Sequence, residues 1–266
     1  MDQRPVLFLD SGMGGIPYCR HFGLRNPGET LVYIADCQNF PYGQREKQEL
    51  AILLSNLVEK TIRLIDPKIF VIACNTATIS ALEHLRRLFP LVPFVGTVPA
   101  IKPAILASKT KNIGVLGTGR TIDDPYIREL AALFGPCELH GIAAPELVDF
   151  VEKRLSRASI DEKKEIARSF IERFRSQKVD VLVLGCTHFL FLLDEFRDAG
   201  LPDILVIDSL DGITRRIESL LDADDGKLRS QKNPAKNRLL LTGTDIPDSS
   251  WQNHASELDF YLGLLE

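Results

Sequence analysis

Twice in this sequence an apolar run ends at a small residue, then a cysteine, then a short polar pair. "VIACNTATIS" covers Val71 to Ser80, and "LVLGCTHFLF" covers Leu182 to Phe191. A short aliphatic run without polar alternation is the mark of a strand buried on both faces. Such strands occur where helices cover both sides of a parallel sheet. The chain repeats this kind of run at Val6–Leu9, Leu31–Ala35, Ile69–Ala73, Phe94–Gly96, Asn112–Leu116, Glu138–Ile142, Val181–Leu184, Ile204–Ile207 and Arg238–Leu241. Amphipathic helical patterns lie between them at Glu46–Ile65, Ile79–Phe89, Asp123–Phe134, Ile160–Gln177 and Leu210–Leu221. Strands alternating with helices predict βαβ units and an α/β fold with parallel sheets.

The cysteine runs belong to a weak internal repeat. "VLFLDSG" (Val6–Gly12) parallels "IGVLGTG" (Ile113–Gly119), and "IFVIACNT" (Ile69–Thr76) parallels "VLVLGCTH" (Val181–His188) at nearly the same offset. Two matched pairs predict two similar α/β domains. The chain is expected to cross to the second near Val98-Pro99-Ala100 and to return near Ile207-Asp208-Ser209. Residues 1–98 with 208–266 then form a discontinuous first domain, and residues 99–207 the second. The polar stretch Asp222–Asn237 reads as a linker.

Composition narrows the function. With 45% hydrophobic and 26% charged residues, the chain can bury a core as ordinary globular proteins do. A net charge of −4 leaves no basic footprint for nucleic acid. No apolar stretch is long enough to span a membrane. The first strand starts at Pro5–Leu9, which leaves no room for a signal peptide and predicts a cytoplasmic protein. Five cysteines without a CxxC do not make a disulfide framework.

Ligands of open α/β sheets bind outside the carboxyl ends of the strands. Asp10-Ser11, Cys74-Asn75-Thr76, Thr118 and Cys186-Thr187-His188 all fall there. A helix beginning at such a point offers free N–H groups and a positive dipole end, which suits a carboxylate and favours thiolate. Taken singly, each residue has a plain structural role: a buried cysteine as a small hydrophobe, Asp10 as a helix cap, His188 as a loop histidine. Cys19, Cys37 and Cys137 lack the strand-end setting and read as structural. Two matched thiols admit a metal site with Cys74, Cys186 and His188, a disulfide switch, or acid–base work on both faces of a flat intermediate. A Cys-x-His spacing places metal ligands awkwardly, and a disulfide would waste the surrounding donors. Tuned thiols serve as either acid or base. Asp10 is placed to assist one thiol and His188 the other. "PYG" (Pro41–Gly43) makes a turn whose amides suit an anionic group.

These segments resemble the glutamate racemases of the cofactor-independent aspartate/glutamate racemase superfamily. The likeness runs through "DSGMGG" (Asp10–Gly15), "PYG", "ACNTA" (Ala73–Ala77), "IGVLGT" (Ile113–Thr118), "LGCTH" (Leu184–His188), "DS" (Asp208-Ser209) and "LLLTGT" (Leu239–Thr244), nearly the whole chain in family order. The resemblance implies two α/β domains related by pseudo-symmetry and facing each other across a cleft. It implies that Cys74 and Cys186 are the catalytic acid/bases, assisted by Asp10 and His188. A further family glutamate ends the pattern C-P-x-x-V-P-L-V-E. Here the segment reads "APELVDFVE", with Ala144 and Asp149 departing from the pattern, and the role falls on Glu152. Substrate binding falls on Asp10, Ser11, Pro41, Tyr42, Gly43, Asn75, Thr76, Thr118, Thr121, Thr187 and His188. The implied reaction interconverts L- and D-glutamate for peptidoglycan synthesis and cell shape, without pyridoxal phosphate or metal. Family members often dimerise, so a homodimer is the implied assembly. Two other readings stay open: racemisation of another dicarboxylate, and a non-catalytic ligand-binding module on the same scaffold.

Overall fold

The computed structural model describes residues 2–223, 229, 236–243 and 249–265. Most of the expected linker and Thr244 of "LLLTGT" lie outside the described residues. The chain divides into two compact units, one running to Thr97 and resuming at Leu210, the other Val98–Ser209. The expected boundaries differ from these by a residue or two: Val98, Asp208 and Ser209 all go with the second unit.

The first unit holds a six-stranded sheet. Its strands are β1 (Val6–Asp10), β2 (Leu31–Ala35), β3 (Ile69–Ile72), β4 (Phe94–Gly96), β9 (Arg238–Leu241) and β10 (Tyr261–Leu264), in the order β10-β9-β2-β1-β3-β4. The second unit holds β5 (Asn112–Gly117), β6 (Glu138–Ala143), β7 (Val181–Leu184) and β8 (Leu205–Ile207), in the order β6-β5-β7-β8. Every strand pair among the described residues is parallel. The internal repeat is therefore a repeat of topology, since β2-β1-β3-β4 and β6-β5-β7-β8 are one winding used twice. β1, β2, β3 and β7 are buried along their whole length, as their unbroken apolar runs require.

The register sets the strand ends side by side. Leu9 pairs with Ile72, and the Ala73 amide donates to the Leu9 carbonyl at 2.8 Å. In the second unit Leu116 pairs with Leu184, and the Gly185 amide donates to the Leu116 carbonyl at 2.7 Å. Asp10 and Cys74 thus leave adjacent strands together, and so do Thr118 and Cys186.

Several elements were not expected from the sequence. They include β10 and the helices Ile16–Arg25, Ile101–Ala107, Pro145–Lys153, Leu193–Gly200 and Ser249–Leu258. The helix expected from Ile79 begins four residues earlier, at Asn75, with Cys74 as its extended N-cap residue. After Cys186 the turn is a 3₁₀ helix, Thr187–Leu192, rather than the α-helix start that follows Cys74. No helix among the described residues is long and apolar enough to cross a membrane.

Candidate active site

The first unit gathers Asp10, Ser11, Tyr42, Cys74, Asn75 and Thr76, all buried. The Asp10 carboxylate turns back on its own loop and accepts the Ser11 amide at 2.6 Å. That loop is held from the next strand. The Tyr33 hydroxyl donates to the Gly12 carbonyl at 2.7 Å and accepts the Gly15 amide at 3.1 Å. Gly15 has to be glycine, because a Cβ there would stand 2.8 Å from the Ala73 Cβ and 2.9 Å from the Ala73 carbonyl. Sequence reading singled out neither Tyr33 nor this contact.

Cys74 packs in the same buried cluster as Tyr42 and Ala77. Asn75 opens the helix with neither side-chain polar atom hydrogen bonded, although both are buried. An unsatisfied buried amide costs about 1–3 kcal/mol, so Asn75 marks a place where a polar ligand would repay that cost. The "PYG" segment is a 3₁₀ turn over Tyr42–Gln44 with Pro41 as its cap and Gly43 within it. The Tyr42 hydroxyl donates to Asp36 Oδ2 at 2.6 Å. Burial first, and then the Asp36 carboxylate, push the Tyr42 hydroxyl well above its usual range. Asp36 stands at the end of β2, so the strand-end rule that singled out Asp10 also points to it.

The second unit gathers Thr118, Thr121, Glu152, Cys186, Thr187 and His188. Thr118 caps the short helix after β5, accepting the Thr121 amide at 3.3 Å, and the two hydroxyls lie 3.0 Å apart. The His188 imidazole lies between two partners, with Nδ1 3.8 Å from the Cys186 sulfur and Nε2 2.6 Å from Glu152 Oε1. Burial by itself would lower the imidazolium's pKa. The hydrogen bonds to Cys186 and Glu152 overcome that and hold it well above the ordinary histidine range.

Glu152 reaches His188 because helix Pro145–Lys153 packs against the turn that carries it. Ala144 and Asp149 leave this placement intact. Ala144 is fully buried and its amide caps the strand at the Gly117 carbonyl, 2.9 Å away. Asp149 lies on the exposed side of the helix and pairs with Lys153 at 2.7 Å. A separate cavity of about 460 Å³, lined by Asp180, Arg197 and Leu205 among others, opens at the start of β7 and β8. It lies at the opposite strand end from Cys186.

Residues 22–217 match the family model described as Asp/Glu/Hydantoin racemase. The chain belongs to that family. A glutamate racemase from Brucella canis is 39% identical over 239 residues, covering 88% of this chain and 86% of that protein. One from Bartonella tribocorum is 37% identical over 254 residues, covering 94% and 92%. Among solved structures, Escherichia coli glutamate racemase, in complex with L-glutamate and the activator UDP-MurNAc-Ala, superposes with a TM-score of 0.83 at 27% identity. That match covers 98% of this chain and 97% of the other. A glutamate racemase isoform from Bacillus anthracis gives 0.84 at 25% identity, covering 99% and 97%. For this racemase, then, the two parallel sheets are those of a known two-domain α/β enzyme fold.

Proposed function

We propose that this racemase interconverts L- and D-glutamate by two-thiol proton transfer at Cα. The observation that carries the reading is the Cys186–His188–Glu152 chain at the end of β7, answered by Cys74 at the matching end of β3. The likeness to glutamate racemases supplies the substrate.

In this reading each thiol acts on one face of the substrate. One thiolate removes the α-proton, a planar carbanion forms, and the other thiol returns a proton from the opposite face. The α-proton is weakly acidic beside a free carboxylate, so positioning and electrostatics together have to lower the barrier. Positioned acid–base catalysis supplies ~10²–10⁴-fold. Each preorganised donor toward the developing charge supplies about another 10²–10³-fold. Ser11, Asn75, Thr76, Thr118 and Thr187 are the donors assigned to that work. Thr121 supports Thr118, and the Pro41–Gly43 turn offers amides to a carboxylate. His188 and Glu152 serve Cys186, while Asp10 serves Cys74.

The product supplies D-glutamate for peptidoglycan synthesis in the cytoplasm, and the working assembly is a homodimer. Neither pyridoxal phosphate nor metal takes part. Incubating the pure protein with D-glutamate and assaying L-glutamate tests the reading. Turnover of D-aspartate in preference would move the activity to another dicarboxylate, and turnover of neither would leave a binding module. Activity should withstand dialysis against a strong chelator and treatment with hydroxylamine. Loss of activity restored by added zinc would assign the thiols to a metal instead.

A further inference from the structure

Thr78 holds the main chain on both sides of Cys74. Its amide donates to the Cys74 carbonyl at 2.9 Å, and its hydroxyl donates to the Ile72 carbonyl, at the end of β3, at 3.3 Å. That hydroxyl is set from the next strand. It accepts the Thr97 amide at 3.1 Å, which leaves its own proton for Ile72. The Thr97 hydroxyl donates to the same carbonyl at 3.2 Å, and the Thr97 amide reaches it at 3.1 Å. Both threonines are buried. They converge on one carbonyl, two residues before the cysteine.

The packing makes room for this arrangement. A Cβ at Gly96, on β4, would stand 2.6 Å from the Thr78 Cγ2 and 3.1 Å from its hydroxyl oxygen. Glycine there lets the first turn of the helix Asn75–Leu88 lie against β4 with Thr78 seated between them. The second thiol is set differently. The turn after Cys186 is 3₁₀, its carbonyl receives the Phe189 amide at 3.2 Å, and the residue four places on is Leu190, which has no hydroxyl to close the same loop.

Cys74 stands in extended conformation at the joint between strand and helix, so its sulfur moves with any shift at that joint. Reacting groups have to be held to about 0.5 Å, and a misplacement of about 1 Å costs about 10²-fold in rate. We propose that Thr78 is a positioning residue for Cys74: its amide and hydroxyl close the main chain on either side of the cysteine and hold the sulfur at the end of β3. The proposal deepens the two-thiol reading and rests on it.

The test is the rate of iodoacetamide alkylation at fixed pH, read peptide by peptide by mass spectrometry on the full chain without substrate. Cys186 is the internal control. Thr78→Val keeps the branched side chain and removes the hydroxyl. Alkylation of Cys74 should speed up about fivefold, as one lost hydrogen bond eases local opening, while Cys186 is unmoved. Thr78→Ser keeps the hydroxyl and should return the rate most of the way to wild type. An unchanged Cys74 rate in Thr78→Val, an equal rise at Cys186, or a serine variant as fast as the valine one would each overturn the proposal. Thr78→Ala covers the case in which Thr78→Val fails to fold. It should show the same selective rise over Thr78→Ser, from which it differs only by the hydroxyl, and equal rates in the two would overturn the proposal. In turnover, Thr78→Val should lose about tenfold in kcat with KM nearly unchanged. A loss confined to KM would move Thr78 to substrate binding and overturn the positioning role. Alkylation is read without substrate, so a wild-type chain that fails to racemise glutamate would overturn the proposed function, while the alkylation series still decides whether Thr78 holds Cys74.

Discussion

The Nε2 atom of His188 lies 2.6 Å from Oε1 of Glu152, and Nδ1 of the same ring faces the Cys186 sulfur at 3.8 Å. A ring held this way donates from both nitrogens, and the pair of partners keeps it protonated despite burial. A histidine whose folded pKa is raised adds stability that is full below its unfolded pKa, about 6.5, and is lost as pH rises through the folded value. Replacing Glu152 by Gln removes one partner. The melting temperature of wild type should exceed that of Glu152→Gln most below about pH 6.5, and the gap should close on the alkaline side. A gap independent of pH would mean that the imidazolium does not form.

His188→Asn should slow the two directions of turnover unequally in kcat, because each enantiomer meets a different base. The ratio of kcat/KM between directions must stay at one, since enantiomers have equal free energy. The separate kcat and KM values therefore carry the asymmetry. Equal changes in kcat for L- and D-glutamate would point to a role shared by both faces.

Neither thiol can be spared in a two-thiol reaction. Cys74→Ala and Cys186→Ala should each lose at least about 10³-fold in kcat with the circular dichroism spectrum unchanged. Retention of a tenth of wild-type turnover by either variant would leave the other thiol working alone.

Run in D₂O from one pure enantiomer and stopped early, the reaction should put deuterium at Cα of the product from the first turnovers. The base that removes the α-proton keeps it as S–H, away from the opposite face. The opposite thiol, equilibrated with solvent beforehand, delivers deuterium. Recovered substrate should stay largely protonated. Protonated early product would indicate one base serving both faces.

Gly15→Ala would drive a Cβ to 2.8 Å from the Ala73 Cβ and 3.0 Å from the Tyr33 hydroxyl. Main chain has to give, at a cost of about 1–3 kcal/mol. Thermal melting should register that loss. Racemisation should fall further than stability alone explains, because the displaced loop carries Asp10 and Ser11. An unchanged melting curve would show that the loop has slack.

The strands were legible because a parallel sheet covered on both faces demands unbroken apolar runs, and Val6–Asp10, Ile69–Ile72 and Val181–Leu184 are such runs. β10 was not legible. Tyr261–Leu264 is half-exposed, carries Gly263, and is a strand because Arg238–Leu241 offers it a parallel edge. The helix at Asn75 was read four residues late for a related reason. Asn-Thr-Ala-Thr has modest helix propensity, and its first turn is set by Cys74, whose carbonyl receives the Thr78 amide at 2.9 Å.

By itself the sequence determined the strand-end cysteines, the doubled winding and the residues that flank them, because local periodicity and strand-end chemistry are written in neighbouring positions. Tertiary structure alone decided which distant groups meet. Glu152 reaches His188 across 36 positions of chain, and Asp36, Tyr42 and Thr242 converge from three separate segments. A buried hydrogen bond depends on a few tenths of an ångström and on the exclusion of water. Those are properties of the packed chain, which residue spacing does not encode.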